Sequence, residues 1–384
     1  MDPQLSEDER LLTDSARRSF ERYCPITLVR ALREPGTSGH SPELWSTMAA
    51  QGWLGLGLPE AHGGAGSLVD LGLVAEEAGR ALVPTTFRST VQAAQLVALL
   101  GTAAQQGDLL ARVAAGSLLA TVAELEPQAL HDPRYLRTVA TPSGDGWVLS
   151  GAKAFVANAG TADLMLVVAR VADGAAGPVL GVFCVPAGAD GLSVSPHATF
   201  AHDRQARVVL DHVHVTAEAA LGGPLGPGAA TAAALADARA RWVALLCAEM
   251  AGGAQKVLEL TADYVTGRVQ FGRPIGSFQA VQHHVADMAT RADGARLATH
   301  QALWRLAHGR PAAREVAVAK AWTGEAYKAI TVMAHQLHGG MGYVRENDLH
   351  LWSEHAKAAE LSLGARDHHL FAVAAELGLS PATL

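Results

Sequence analysis

The run RVQFGRPIGSFQAVQHHVADM, residues 268–288, decides how the rest of the chain is read. Upstream of it Leu258, Ala262 and Val265 recur at helical spacing, and inside it Val281, Val285 and Met288 resume that spacing. Between the two patterns stands Gly272-Arg273-Pro274, so the stretch predicts helix, tight turn, helix. The turn sets Arg268 and Phe271 at the end of one helix and Phe278 and Gln279 at the start of the next. A permanent cation beside aromatic and amide groups at a helix start suits a pyrophosphate that carries an adenine. Taken alone, the same residues read equally well as a helical hairpin with a surface arginine.

About 50 residues further on comes QLHGGMGYVRE, residues 336–346, where Gly339, Gly340 and Gly342 let backbone approach a ligand more closely than side chains allow. In this order, near the end of a chain of this length, the two stretches resemble the acyl-CoA dehydrogenase family. The resemblance extends over essentially the whole chain. It implies that FAD is the cofactor and that Arg268, Phe271, Phe278, Gln279, Gln336, Gly339 and Gly340 reach across a subunit interface to the FAD of a neighbouring chain.

Composition sets the bounds. At 384 residues the chain exceeds one simple core and suits two or three domains. With 49% apolar and 17% charged residues it is globular rather than disordered. The formal net charge of −7 comes with no basic patch, which argues against a nucleic-acid partner. Cys24, Cys184 and Cys247 are far apart and form no CxxC pair, so they are expected to be reduced thiols in a cytoplasmic protein. The start, MDPQLSEDER, does not read as a signal peptide, and no apolar run is long enough for a membrane span. Among 17 histidines, His335 with His338 and His368 with His369 lie close in sequence, but no HExxH pattern or completing ligand points to a metal.

In chain order, residues 1–117 read as an N-terminal helical domain, with an amphipathic start at Leu11, Ala16 and Phe20 and a helix opened by Ser41 and Pro42. The glycine-rich loop at 54–67 lacks the lysine and the βαβ setting of a phosphate cradle, and its glycines are expected to serve close packing. Residues 118–225 read as a small β-barrel or sheet domain, from short apolar runs at 118–122, 147–149, 164–168, 179–185 and 208–210. His212 and His214 alternate with Val213 and Val215, as on a solvated strand face. Residues 226–384 read as a C-terminal bundle of four helices, at 231–267, 276–307, 312–337 and 346–377. The fold class expected is therefore a multidomain α+β protein, and the order of helices, sheet and bundle is the layout of the family.

The chemistry implied by the resemblance is α,β-dehydrogenation of an acyl-CoA thioester. It needs a carboxylate base beside the α carbon and a polarised thioester carbonyl. Family members keep that base at one of two places. Counting from Gly342, the first falls on Leu363; counting back from Arg268, the second falls on Trp242. Neither is acidic, and Val243 stands where an arginine commonly follows. Glu249 and Glu360 are the weak candidates for a relocated base. Glu249 lies about 10 Å along its helix from Trp242.

The stretch that would hold the chain's own flavin has also changed. It reads AELEPQALHDP at 123–133, keeping Glu126 and Pro127 but losing the glycines and hydroxyl, and Ala157 replaces a threonine within Phe155-Val156-Ala157-Asn158. The residues lent to a neighbour's flavin are intact. Three expectations follow from this asymmetry: a subunit without a base, working with a sister chain and an electron-transfer flavoprotein; a self-sufficient homo-oligomer with a relocated base; or a non-catalytic scaffold.

Overall fold

Helix starts are written into side chains. Ser6 and Glu9 form a reciprocal capping box at the head of α1 (Glu7–Tyr23), Ser67 and Asp70 do the same for α4 (Leu68–Ala81), and Thr102 with Gln105 for α6 (Ala103–Ala114). After α2 (Ile26–Arg33), Ser41 and Pro42 start α3 (Pro42–Ala50) as the sequence predicts. Helix α5 (Thr86–Leu100) completes the N-terminal set. The computed structural model describes residues 4–128, 135–171, 179–223 and 229–379. Of the stretches read from sequence, residues 129–133 of the changed loop and residues 224–228 of the linker lie outside these.

The chain divides into two compact units, one of Met1–Val29, Ser67–Val83 and Ala240–Leu384, the other of Arg30–Gly66 and Pro84–Arg239. The second unit is built on a curled seven-stranded sheet of β1 (Ala120–Ala123), β2 (Val139–Ser143), β3 (Gly146–Ala157), β4 (Leu164–Val171), β5 (Val179–Pro186), β6 (Leu192–His197) and β7 (Gln205–Thr216). Its order is β1-β4-β2-β3-β7-β6, with β5 also paired to β4; β4 runs parallel to β1 and β2, and the other pairs are antiparallel. Leu149, Met165, Val167, Phe183, Val208 and Val213 fill its core. β2 and β6 escape the sequence reading because each carries a proline and at most one buried residue. His212 sits at φ 54° where the β3–β7 register shifts, and both His212 and His214 are exposed.

The polar centre of this unit is a buried ion pair. Glu126 and Lys153 are each at most 1% exposed, and Lys153 Nζ donates to Glu126 Oε1 at 2.7 Å. The backbone N–H groups of Arg137 and Thr138 donate to the same carboxylate at 2.7 and 3.0 Å. Burial pushes the Glu126 carboxyl up, but the ammonium and the two N–H groups outweigh it and hold it below the usual range.

The first unit is helical. Helix α7 (Ala229–Gly267) enters it at residue 240, a two-residue hairpin of β8 (Val269–Gln270) and β9 (Arg273–Pro274) follows, and then come α8 (Gln279–Ala307) and α9 (Ala313–His338). The fourth helix, expected as one piece over 346–377, is two: α10 (Leu349–Leu361) and α11 (Arg366–Glu376). The break is Leu363 at φ 55° followed by Gly364 at φ 96°, neither of which continues a right-handed helix. Helix α9 packs on α8, α10 and α11, and α4 packs on α1 and α8.

Contact between α4 and α7 is backbone to backbone. A Cβ on Gly79 would lie 1.8 Å from the Glu249 carbonyl oxygen, and one on Gly252 would lie 1.7 Å from that of Glu76. Only glycine fits at either place.

Replacing Lys153 with Met is expected to destabilise the protein by about 3 kcal/mol or more, because the carboxylate would stay buried without its cation. The depressed Glu126 contributes stability that is present above about pH 4.3, its unfolded value, and lost as pH falls through the lower folded value. Urea denaturation between pH 6 and 3 should therefore show a decline that is flatter in Glu126→Gln.

Candidate functional site

The residues singled out at 268–279 occupy one exposed corner of the helical unit. Gln270-Phe271-Gly272-Arg273 is a hairpin whose two central residues both have positive φ, 55° at Phe271 and 78° at Gly272, as a primed two-residue turn requires. Phe271 is 90% exposed. Its ring meets that of Phe278 edge-on at 6.0 Å, and Arg273 lies over the other side of Phe278 with Cζ 4.1 Å from the ring centre. Arg268 and Gln279 are exposed. Helix α8 starts at Gln279 without a side-chain cap, and the N–H groups of Val281 and Gln282 donate to the Phe278 carbonyl at 3.0 and 3.1 Å.

The second stretch ends α9. Gln336, Gly339 and Gly340 are exposed, and Gly339 has φ 57° and ψ −137°, a conformation for glycine alone. A Cβ added at Gly339 or Gly340 would meet nothing within 4 Å, so the loop has open space above its backbone. The two stretches meet through Tyr264, one turn before Arg268 on α7. Its ring stacks on His338 at 4.2 Å, and its hydroxyl donates to the His338 carbonyl at 3.3 Å.

Neither position of the expected base holds an acid. Trp242 is packed into the core at 2% exposure. Leu363 occupies a bend at which three carbonyls are held by side chains from other helices. Lys320 Nζ, on α9, donates to the carbonyls of Glu360 at 2.8 Å and Gly364 at 2.9 Å, and His369 Nε2, on α11, donates to that of Leu363 at 3.0 Å.

The two alternative carboxylates are already engaged. Glu249 Oε1 accepts from His355 Nε2 at 2.8 Å, and the other ring nitrogen of His355 lies 3.3 Å from the hydroxyl of the fully buried Tyr327. Glu360 is paired with Lys328 at 3.1 Å and Lys357 at 2.8 Å. Burial pushes the Glu360 carboxyl up, but the two ammonium groups hold it below the usual range, which makes it a poor proton acceptor. The thiols offer no nucleophile either, since burial pushes Cys24, Cys184 and Cys247 up to about 12. Among the described residues no group of three His, Cys, Asp or Glu side chains could hold a metal ion, and no helix is long and apolar enough to cross a membrane.

Sequence profiles of the acyl-CoA dehydrogenase N-terminal, middle and C-terminal domains match residues 6–117, 122–213 and 229–378. The acyl-CoA dehydrogenase IpdE2 of Mycolicibacterium smegmatis is 32% identical over 97% of this chain and 100% of its own length. The chain belongs to the acyl-CoA dehydrogenase family. Similar solved structures include a variant of the Tcur3481–Tcur3483 steroid ACAD, with 34% identity, a TM-score of 0.85 and coverage of 97% of this chain and 98% of that one. Another is the ChsE4–ChsE5 complex of Mycobacterium tuberculosis, with 28% identity, a TM-score of 0.87 and full coverage of both chains.

Acyl-CoA dehydrogenases bind FAD. The exposed cation, aromatic pair, uncapped helix start and open glycine loop of the helical unit fit one lobe of such a dinucleotide. The sheet unit fits less well. The carbonyls of Leu125 and Ala157 accept from Ala154 N–H at 2.9 Å and from the Thr121 hydroxyl at 2.6 Å, and their side chains carry no donor. Glu126 is committed to Lys153. Phe155, at φ 53° and 61% exposed, rests against His197 at 5.5 Å. Asn158 is turned inward, donating to the Ser89 hydroxyl at 3.0 Å and accepting from that of Thr85 at 3.2 Å.

Sequence reasoning missed Lys320 and Tyr264, and weighed His335 only as a metal ligand. The first left a signal, a lysine on the same helical stripe as Ala317, Ala321 and Gly324. Phe271 combines strain with an exposed apolar ring. Phe271→Asn, which tolerates the left-handed region, is expected to raise the stability of the isolated chain by up to about 1 kcal/mol in urea denaturation.

Proposed function

We propose that this chain is the subunit without a catalytic base in a heteromeric, cytoplasmic acyl-CoA dehydrogenase. A sister chain would supply the glutamate that takes the α proton and most of the flavin pocket. This chain would supply the dinucleotide lobe: Arg268 against the pyrophosphate, the first turn of α8 with Gln279 beside it, Phe271 and Phe278 as the aromatic cover, and Gln336 with the Gly339-Gly340 backbone at close approach. FAD, when bound, would accept the hydride removed from the β carbon of an acyl-CoA, and with it two electrons, and an electron-transfer flavoprotein would take those electrons onward.

The observation that carries this reading is the contrast between two places in one helical unit. The exposed face with Arg268 and Phe271 keeps every feature suited to a dinucleotide, while both base positions hold Leu363 and Trp242. Glu249 is engaged in a hydrogen bond with His355, and Glu360 stands in ion pairs with Lys328 and Lys357, which speaks against either as the base. A scaffold would have no use for a phenyl ring held 90% exposed on a left-handed backbone. Two solved relatives, the Tcur3481–Tcur3483 steroid ACAD and the ChsE4–ChsE5 complex, are named as pairs of chains. Both support a sister subunit for this chain, and the steroid ACAD supports a bulky acyl group.

The flavin-to-polypeptide ratio tests it. The chain purified alone should be colourless, and with its sister subunit it should give one FAD for every two chains and dehydrogenate acyl-CoA. One FAD per lone chain with turnover would overturn the proposal and return the search for a base to Glu249 and Glu360.

A further inference from the structure

The loop at residues 339–342 has open space above it and little packing of its own, so something must fix its shape. Gly340 and Met341 are exposed, and Gly342 is where the loop touches the rest of the chain. A Cβ on Gly342 would lie 3.0 Å from the His335 carbonyl oxygen and 3.1 Å from His338 Cβ, so the chain folds tightly back on the last turn of α9 there. His335, one turn before Gly339 on α9, spans this fold-back. Its Nδ1 lies 2.7 Å from the Gly342 carbonyl oxygen and its Nε2 lies 2.5 Å from Ser353 Oγ on α10. The imidazole also rests against the Tyr343 ring at 5.2 Å.

The chemistry of the partners fixes the tautomer. A carbonyl only accepts, so Nδ1 carries the proton. In the neutral ring Nε2 is then an acceptor, and Ser353 must donate to it. Ser353 Oγ also lies 3.3 Å from the Leu349 carbonyl, but turning the hydroxyl that way would set two lone pairs against each other at 2.5 Å. The ring is thus held in one orientation, with its donor aimed at the far end of the loop. His338, three residues on, is tied separately: its Nδ1 donates to the Ala334 carbonyl at 2.8 Å, and it carries the Tyr264 stack. One end of the glycine loop is registered to the helix end that bears Arg268, and the other to α10 through His335.

We infer that His335 is a positioning residue for the dinucleotide lobe: it presets the backbone of residues 339–342 by clasping Gly342 against Ser353, without itself touching the ligand. This rests on the reading that the lobe receives FAD. A loop left to order itself on binding would lose affinity, because the ordering entropy would be taken from the binding energy.

The test uses the assembly of this chain with its sister subunit, stripped of flavin and titrated with FAD by flavin fluorescence. Amide hydrogen exchange is followed in parallel on the flavin-free protein. His335→Ala is expected to weaken FAD binding about tenfold and to speed exchange at the amides of residues 340–343, with the rest of the chain unchanged. His335→Asn, whose amide can reproduce the Nδ1 donor, should recover most of the affinity, which a loss of bulk packing would not allow. Should His335→Ala fail to fold, Ser353→Ala, which frees the ring without emptying the site, takes its place with a smaller effect in the same direction. Arg268→Ala separates the two ideas. If it weakens FAD binding while His335→Ala and Ser353→Ala leave affinity and exchange as in the wild type, the positioning role is wrong. If Arg268→Ala also binds FAD as the wild type does, the lobe is not a flavin site, and the role assigned to His335 falls with it.

Discussion

Two helices touching through their backbones set the frame on which the helical unit depends. Side chains normally hold helix axes about 8–10 Å apart. At Gly79 and Gly252 there is no room for even a methyl group, and each glycine faces a carbonyl of the other helix. Because the contact is reciprocal, it fixes both the separation of α4 and α7 and their relative register. Helix α7 runs on from there to Tyr264 and Arg268, so the placement of the hairpin is inherited from a contact three to four turns away. A larger residue at either glycine would not simply crowd the core; it would displace the far end of the helix that aims the arginine.

What holds the loops is a different device: buried or half-buried polar side chains that bind backbone carbonyls. Lys320 and His369 secure the bend around Leu363, and His335 secures the loop ending at Gly342. A buried ammonium is costly unless its donors are satisfied, and here two carbonyls at the end of a helix satisfy it, where the helix dipole also favours a cation. The sheet unit uses the same principle inside a loop, with Glu126 gathering Lys153 and two backbone N–H groups.

The main elements were legible because they rest on local rules. Ser41-Pro42 announced a helix start, the alternation at Val213 and Val215 a strand, and Gly272-Arg273-Pro274 a turn between two periodic runs. The strands β2 and β6 were not legible: β2, although paired on both sides, has a single buried residue and a proline, and in β6 the alternation of Leu192 and Val194 with Ser193 and Ser195 is too short before Pro196 to stand out from a loop. The break in the last helix was equally hidden. Leucine is a good helix former, and the left-handed turn at Leu363 is imposed by Lys320 and His369 from elsewhere in the chain. In the candidate site, the residues at 268–279 were visible because their arrangement is local. The engagement of Glu249 by His355, 106 residues away, and of Glu360 by Lys328 was not, because pairing across helices depends on packing that periodicity does not specify.

The bend at Leu363 has a consequence for the substitutions it tolerates. Three of its carbonyls are held by Lys320 and His369, so no hydrogen bond of the bend is made by the side chain of residue 363, whose demand is only that it accept φ 55°. A side chain that tolerates a left-handed backbone can therefore replace leucine with the bend kept in place, whereas a substitution at Lys320 removes two of its three tethers.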